Sequence, residues 1–152
     1  MTTNLVLKST DSIIYTGGRA QFRVSWAQYL DDPDAHYLVS FSFITELSNT
    51  LDSADLYVLG LDNVGNLKNI QGGNTSSSNT KDIGFVKVEE LHSGGAEHRL
   101  RADYSTNPPV TLIGRPSQDI FDLTFKDLTG ALSAKTPAFV CFLRFEKIKN
   151  PY

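Results

Sequence analysis

Residues 139–148 have the sequence FVCFLRFEKI, and their side chains alternate between two faces. One face carries Phe139, Cys141, Leu143 and Phe145. The other carries Val140, Phe142 and Arg144. A period of two is that of a β-strand, because successive side chains of an extended chain point to opposite sides. Since both faces hold apolar residues, this pattern predicts a strand that is partly buried on both sides.

The same alternation recurs along the chain from residue 19 onward. The other segments predicted as strands are 19–26, 37–43, 55–61, 82–91, 98–104, 110–113 and 120–128. With 139–148 they make eight strands, and no amphipathic helix of three turns interrupts them. The sequence therefore predicts one all-β domain, an eight-stranded antiparallel sandwich of two sheets over residues 19–150. A further strand is predicted at Leu5–Lys8 or at Ser12–Tyr15.

Turn-forming residues separate the predicted strands. They are Gly17-Gly18, residues 31–34, residues 62–66, Gly94-Gly95, residues 114–117 and Thr129-Gly130. Glycine supplies positive φ, proline fixes φ, and Asn or Asp bonds its own backbone, so each cluster favours a turn. The long polar stretch Gln71–Thr80 predicts a mobile loop tip, and only Ser48–Asp55 suggests a helical turn.

Composition limits the classes of function. The 152 residues are 40% hydrophobic and 20% charged, with a net charge of −3, which is typical of a globular domain and argues against a nucleic-acid binder. The single cysteine, Cys141, lies in an apolar strand, and we expect it to be buried. No signal peptide and no apolar run long enough to span a bilayer is found, so we expect a soluble protein without membrane insertion, made in a reducing compartment.

No residue set points to catalysis, cofactor binding or metal binding. The histidines His36, His92 and His98 lack the two-residue spacing that brings ligands together on a strand. The acidic pairs at 31–34 and 89–90 are typical of solvated turns and strand faces. Trp26 continues an apolar face, which favours a core position over an exposed platform for sugars. We therefore predict no enzyme, no cofactor and no metal.

The last third of the chain carries a more specific pattern. Gly114-Arg115-Pro116-Ser117 leads into Phe121-x-Leu123-x3-Asp127-x2-Gly130, and the strand 139–148 follows. These residues resemble the closing strands of the single jelly-roll penton and minor capsid proteins of large icosahedral double-stranded DNA viruses and virophages. In those proteins an Arg-Pro turn precedes a strand that ends in an Asp/Gly turn. The resemblance in sequence covers residues 114–148.

The resemblance implies a single jelly roll that acts by subunit assembly in a virion and is made in the host cytoplasm. The implied partners are further copies of the chain, as a pentamer first of all, and neighbouring major and minor capsid proteins. No direct contact with nucleic acid is implied. Residues 1–18 are either an N-terminal arm that adds a strand to an adjacent subunit or the domain's own edge strand.

Three other functions remain open. A carbohydrate- or receptor-binding sandwich, such as a fibre head or a lectin-like module, would use Gln71–Thr80 with Tyr104 and Asn107. A trimeric signalling sandwich of the tumour-necrosis-factor kind suits the length, but no secretion signal or anchor is found. An enzyme ranks last.

Overall fold

The computed structural model describes residues 1–48, 51, 56–90, 98–134 and 137–148. Within these ranges the chain forms thirteen β-strands and two short helical turns. The strands are β1 (Thr2–Lys8), β2 (Ile14–Thr16), β3 (Arg19–Arg23), β4 (His36–Thr45), β5 (Leu56–Asp62), β6 (Asn66–Lys68), β7 (Ile70–Gly72), β8 (Ser77–Asn79), β9 (Asp82–Glu90), β10 (His98–Ala102), β11 (Val110–Ile113), β12 (Ile120–Lys126) and β13 (Phe139–Ile148). The helical turns are a 3₁₀ turn at Ser9–Asp11 and α1 at Trp26–Tyr29.

The strands form two facing layers in which all pairs are antiparallel. The front layer has the order β1-β13-β4, followed by β10 and β11, which pair with successive parts of β4. The back layer has the order β9-β5-β12-β3-β2. β6 pairs with β11, and β7 and β8 form a separate hairpin. Eight long segments can be counted if β10 and β11 are taken as one; in chain order they are β1, β3, β4, β5, β9, β10–β11, β12 and β13. Numbered in this way, the segments have the order first-eighth-third-sixth in the front layer and second-seventh-fourth-fifth in the back layer.

The two layers are joined along one side. β10 pairs with β4 of the front layer through Arg101 and Ala102, and with β9 of the back layer through residues 98–101. At the other side, β1 and β2 are the two ends of the strand order, and no described strand links them. The turn α1 lies there, with the Trp26 ring 5.3 Å from Phe121 of the back layer and 5.4 Å from Phe145 of the front layer.

Aromatic rings fill the space between the layers. The ring centroids of Phe43 and Phe125 are 5.2 Å apart, and Phe139 stands 5.2 Å from both. Phe22 of β3 approaches Phe139 to 6.4 Å. Each fully buried Phe contributes roughly 1.5–3 kcal/mol through the area removed from water. The inward face of 139–148 is therefore core, as its alternation predicts.

The prediction of eight strands is not confirmed, because the described residues contain thirteen. Three predicted strands are also shorter than expected, and one of them, predicted at 120–128, ends at Lys126. The strand predicted at 19–26 ends at Arg23, and Trp26 begins α1 with its side chain still buried. The one-turn helix α1 buries the Trp26 side chain, as an extended chain would. The apolar alternation in the sequence therefore continues past Arg23, although the strand itself ends there. The strand predicted at 98–104 ends at Ala102.

The loop predicted at Gln71–Thr80 contains most of a hairpin, since β7 and β8 pair in the register Ile70 to Asn79 and Gly72 to Ser77. All six residues of these strands are exposed, so no apolar alternation marks them in the sequence. Most of the helical turn suggested at Ser48–Asp55 lies outside the described residues, as does the Gly94-Gly95 turn. Gly17 and Gly18 both have positive φ and form the two-residue turn between β2 and β3.

The first eighteen residues contribute two strands in this structure. β1 pairs along its whole length with β13, from Thr2 opposite Glu146 to Lys8 opposite Val140, and it buries Leu7. β2 pairs with β3 at the far end of the back layer. Both predicted positions for an additional strand are therefore occupied by strands.

Candidate functional site

The histidines weighed as metal ligands lie apart. His36 opens β4 and is exposed, whereas His98 is buried and pairs with Ser48 beyond the opposite end of β4. His92 lies outside the described residues. In the described ranges no group of three or more His, Cys, Asp or Glu side chains is placed to hold a metal ion.

Acidic residues within 31–34 and 89–90 form turn hydrogen bonds and ion pairs. Oδ1 of Asp32 accepts the backbone N–H of Asp34 at 3.0 Å, and this hydrogen bond lowers the pKa of Asp32. Glu89 accepts a hydrogen bond from Nε of Arg99 at 2.9 Å, which lowers the pKa of Glu89. The side chain of Glu90 lies outside the described part of the chain. A lowered pKa keeps these carboxylates ionised at neutral pH, the opposite of what a general acid needs.

Cys141 and Trp26 are both core residues, as the sequence predicts. Cys141 is fully buried, and this burial raises the pKa of its thiol, so the reactive thiolate is disfavoured. Trp26 is buried between the layers and offers no exposed ring for a sugar.

The residues of the resemblance form two turns. In the first, Nη1 of Arg115 donates to the carbonyl of Leu30 at 2.9 Å and the backbone N–H of Arg115 donates to the carbonyl of Pro33 at 3.0 Å. Gly114, with φ of 81°, donates to the carbonyl of Ala35. The Arg-Pro turn therefore fastens the segment between α1 and β4 to the start of β12.

The second turn follows β12. Oδ1 of Asp127 accepts hydrogen bonds from the backbone N–H of Thr129 and of Ala131, and from the Thr129 hydroxyl. Gly130 takes φ of 90°, which glycine adopts without strain. The hydrogen bonds and glycine conformations of the two turns therefore explain why the Arg-Pro and Asp/Gly residues occur at these positions.

The residues proposed for sugar binding are partly engaged elsewhere. The Asn107 side chain pairs with the backbone of Phe85, accepting from its N–H and donating to its carbonyl, each at 2.9 Å. The guanidinium of Arg144 stands 3.8 Å above the centre of the Tyr104 ring. A sugar could therefore stack on that face of Tyr104 only by displacing Arg144.

An apolar patch covers part of the outer face of the front layer. We call it the outer patch, and it consists of Val6, Ile44, Val140 and Phe142. Val6 lies opposite Phe142, and Val140 lies opposite Ile44, so the four side chains stand in adjacent rows on three strands. Val6 is 48% exposed and Phe142 38%. The sequence signal for this patch was the second apolar face of 139–148, which predicted partial burial.

A groove crosses the outer face of the back layer. It has a volume of about 490 Å³ and lies between the hairpin β7–β8 and the turn after β12. Its apolar walls are Val58, Ile70, Phe85 and Leu128. Nζ of Lys126 and Oδ1 of Asp82 face each other within it at 3.7 Å. The sequence pointed to Gln71–Thr80 as a binding loop, and Gln71 and Thr80 line this groove, but it did not predict the apolar walls, which only the fold brings together.

A second groove follows the side where the layers are not joined. We call it the edge groove, and its volume is about 420 Å³. Thr3, Asn4 and Leu5 of β1 form one wall, and the end of β3 with α1 forms the other. Its apolar lining consists of Leu5, Val24, Trp26, Leu30 and Phe145.

The comparisons with known proteins give one structural likeness. No protein-family model matches the chain, and no curated protein matches it. Among solved structures, the chain is similar to the mavirus penton protein, with a TM-score of 0.43 and 12% identity over 97% of this chain and 99% of that one. At this degree of likeness, function must be argued from the chain's own strands and surfaces.

In the described part of the chain each helix is a single turn, and none has the length and apolar character needed to cross a membrane. Exposed apolar side chains cluster in the outer patch, at Val6, Ile44 and Phe142, and such clusters are common at interaction sites.

Proposed function

We propose that this chain is a viral capsid structural protein, a single jelly roll that acts by assembly. The observation that carries the proposal is the strand order, first-eighth-third-sixth facing second-seventh-fourth-fifth. This order is that of a jelly roll, in which two Greek keys fold together, and capsid subunits are one of the main classes built this way. The resemblance of residues 114–148 to capsid jelly rolls supports the same assignment.

The outer patch supports assembly over a solitary role. It places four apolar side chains on an antiparallel face, with Lys8 at the end of the row of Val140 and Ile44, and Arg144 in the row beyond Phe142. Interfaces between subunits combine an apolar centre with a polar, Arg-containing rim. A sheet face with such a patch suits contact with a neighbouring subunit.

In the finer form of the proposal, the protein is the pentameric vertex protein, or else a minor capsid protein, located in the virion after synthesis in the host cytoplasm. Its partners are other copies of itself and the neighbouring major and minor capsid proteins. It binds no nucleic acid directly, inserts in no membrane, uses no cofactor and catalyses no reaction.

Native mass spectrometry of the purified protein over a concentration series tests this proposal. We expect a pentamer. That result would be specific for the vertex role, because few sandwiches of this size close with five-fold symmetry. A trimer would contradict it in favour of a fibre head or a signalling sandwich. A monomer at every concentration would overturn the vertex role.

A variant pair tests whether the outer patch is an assembly surface. Phe142→Ser should weaken the assembly, because it removes an apolar side chain from the patch. Ile70→Ser is the control, since Ile70 is 74% exposed on the separate hairpin. Circular dichroism should show both variants folded. Equal assembly of the two variants would remove the patch from the proposal.

The alternative function is binding of a carbohydrate or receptor in the groove beside β7–β8. Its volume and its mixture of Ile70 and Phe85 with Gln71 and Thr129 favour this alternative. A glycan array tests it directly. Binding that is lost in Phe85→Ala but kept in Phe142→Ser would place the function in this groove and not in the outer patch.

A further inference from the structure

β1 presents a free strand edge. It pairs with β13 on one side, and on its other side it pairs with no strand in the described residues. It spans seven residues, contains neither Pro nor Gly, and carries its only charge at Lys8. A row of unpaired backbone N–H and C=O groups along such an edge can pair with a further extended strand.

The other edges of the described sheets are protected. β2 and β6 are only three residues long. On β9, the side chain of Asn107 occupies both the N–H and the carbonyl of Phe85, beside the part of that strand that β10 does not cover. Natural proteins blunt edges by shortening or covering them. β1 is longer than β2 and β6, and the turn α1 reaches it through one hydrogen bond, from the Thr3 hydroxyl to the carbonyl of Tyr29 at 3.4 Å.

The edge groove runs beside this free edge. A strand added to β1 would direct every second side chain towards the groove, which Leu5, Val24 and Trp26 line. The groove therefore selects for an extended segment whose inward row is apolar. In β1 the inward residues are Thr3, Leu5 and Leu7; Leu7 is buried in its own core, whereas Leu5 is half-buried and lines the groove.

We propose that the edge of β1 and the edge groove bind a second copy of this chain, with the two β1 strands antiparallel across a two-fold axis. Full overlap places Leu5 opposite Leu5 of the second copy and Thr2 opposite its Lys8. No like charges oppose each other in this register, and the two copies use the same surface, as a two-fold interface requires. The half-buried Leu5 side chain of each copy then lies beside the edge groove of the other, as in recognition by strand addition.

This inference does not depend on a capsid role. In a capsid, the contact would join two assemblies, whereas in a binding module it would form a simple dimer. It also differs from the outer patch, since it uses the edge of the front layer and not its face.

A change of charge at one position tests the register. Thr2→Lys places two lysines opposite each other at both ends of the paired strands, and Thr2→Glu places a glutamate opposite each Lys8. Within one copy Thr2 lies opposite Glu146, so Thr2→Lys should stabilise the fold while weakening the dimer, and Thr2→Glu should do the reverse. A merely structural effect would move fold and association in the same direction.

Sedimentation equilibrium measures the dimer dissociation constant. We expect Thr2→Lys to raise it and Thr2→Glu to lower it, each by between about two-fold and thirty-fold in low salt. Thr75→Lys and Thr75→Glu change the net charge equally on the exposed hairpin loop and should leave the constant unchanged. Thermal unfolding of each variant gives the fold stability.

Hydrogen exchange of the β1 amides provides a second measurement on the unmodified protein. We expect protection in β1 to rise with protein concentration, because the free edge becomes paired. The proposal is overturned if association shows no even-numbered species, if both Thr2 variants shift the constant in the same direction, or if β1 exchange is independent of concentration.

Discussion

At the scale of single residues, Asn107 imitates a neighbouring strand. Its amide forms the two hydrogen bonds with Phe85 that a paired residue would form. The approach is so close that a Cβ built on Gly84 would lie 2.5 Å from Cγ of Asn107 and 2.7 Å from Cε1 of Phe41. Gly84 is therefore required for space, and the turn before Pro108-Pro109 is fixed to β9 through this contact.

Gly84→Ala should lower the free energy of unfolding by about 1–3 kcal/mol, because the added methyl group overpacks the contact with Asn107 and Phe41. Urea unfolding followed by circular dichroism measures this change. Gly72→Ala is the matched control, since nothing lies within 4 Å of a Cβ at that exposed strand position. Equal stability of the two variants would contradict the contact.

Asn107→Ala should cost about 1–3 kcal/mol, because it removes both partners of the Phe85 backbone. In the double variant the cost of Gly84→Ala should shrink, since one of the two clashing side chains is gone. Additive costs would show that the two residues do not act on each other.

At the scale of the elements, the Asp127 turn makes stability depend on pH. The hydrogen bond from the Thr129 hydroxyl, together with those from the backbone, lowers the pKa of Asp127. A carboxyl whose pKa is lower in the folded state adds stability above its unfolded pKa of about 4, and this stability is lost as the pH falls through the folded value.

Thermal unfolding at pH 7 and pH 3 should therefore show a larger fall in Tm for the wild type than for Asp127→Asn. Asp31→Asn is the control, since Asp31 is an exposed acid. An equal pH dependence in the wild type and Asp127→Asn would contradict the role of the ionised carboxylate.

Sequence patterns predicted the strands in which buried and exposed side chains alternate. The bounds of 110–113 and 139–148 agree with β11 and β13, because the alternation of these strands starts and stops with the strands themselves. The hairpin β7–β8 could not be predicted, since its side chains are all exposed and its pairing depends on the backbone alone. The apolar walls of the groove beside β7–β8 were also missed, because Ile70 and Leu128 are far apart in the sequence and are brought together only by the fold.

At the scale of the whole molecule, Cys141 reports on the opening of the front layer. It lies opposite Leu7 of β1 and Phe43 of β4, in the middle of the layer, and it is fully buried. A thiol in this position reacts only when β13 separates from a neighbour or when the two layers separate.

We expect the labelling of Cys141 by an aromatic disulfide to be very slow in the native protein, and its rate to rise with urea at the slope of global unfolding. Cys141→Ala with Thr75→Cys is the control, because an exposed thiol should react at once. Rapid labelling of native Cys141 would show that β1 or β13 detaches or that the layers separate locally.

The position of β13 between β1 and β4 also affects how the chain folds as it is made. On the ribosome, the first and third long segments emerge well before the strand that must lie between them. Until residues 139–148 are translated, β1 and β4 of the nascent chain therefore each have an unpaired edge where β13 will lie. Such edges attract other chains. The front layer is completed only after translation of this segment, so slower translation between β4 and residue 148 lengthens the time for which these edges are unpaired.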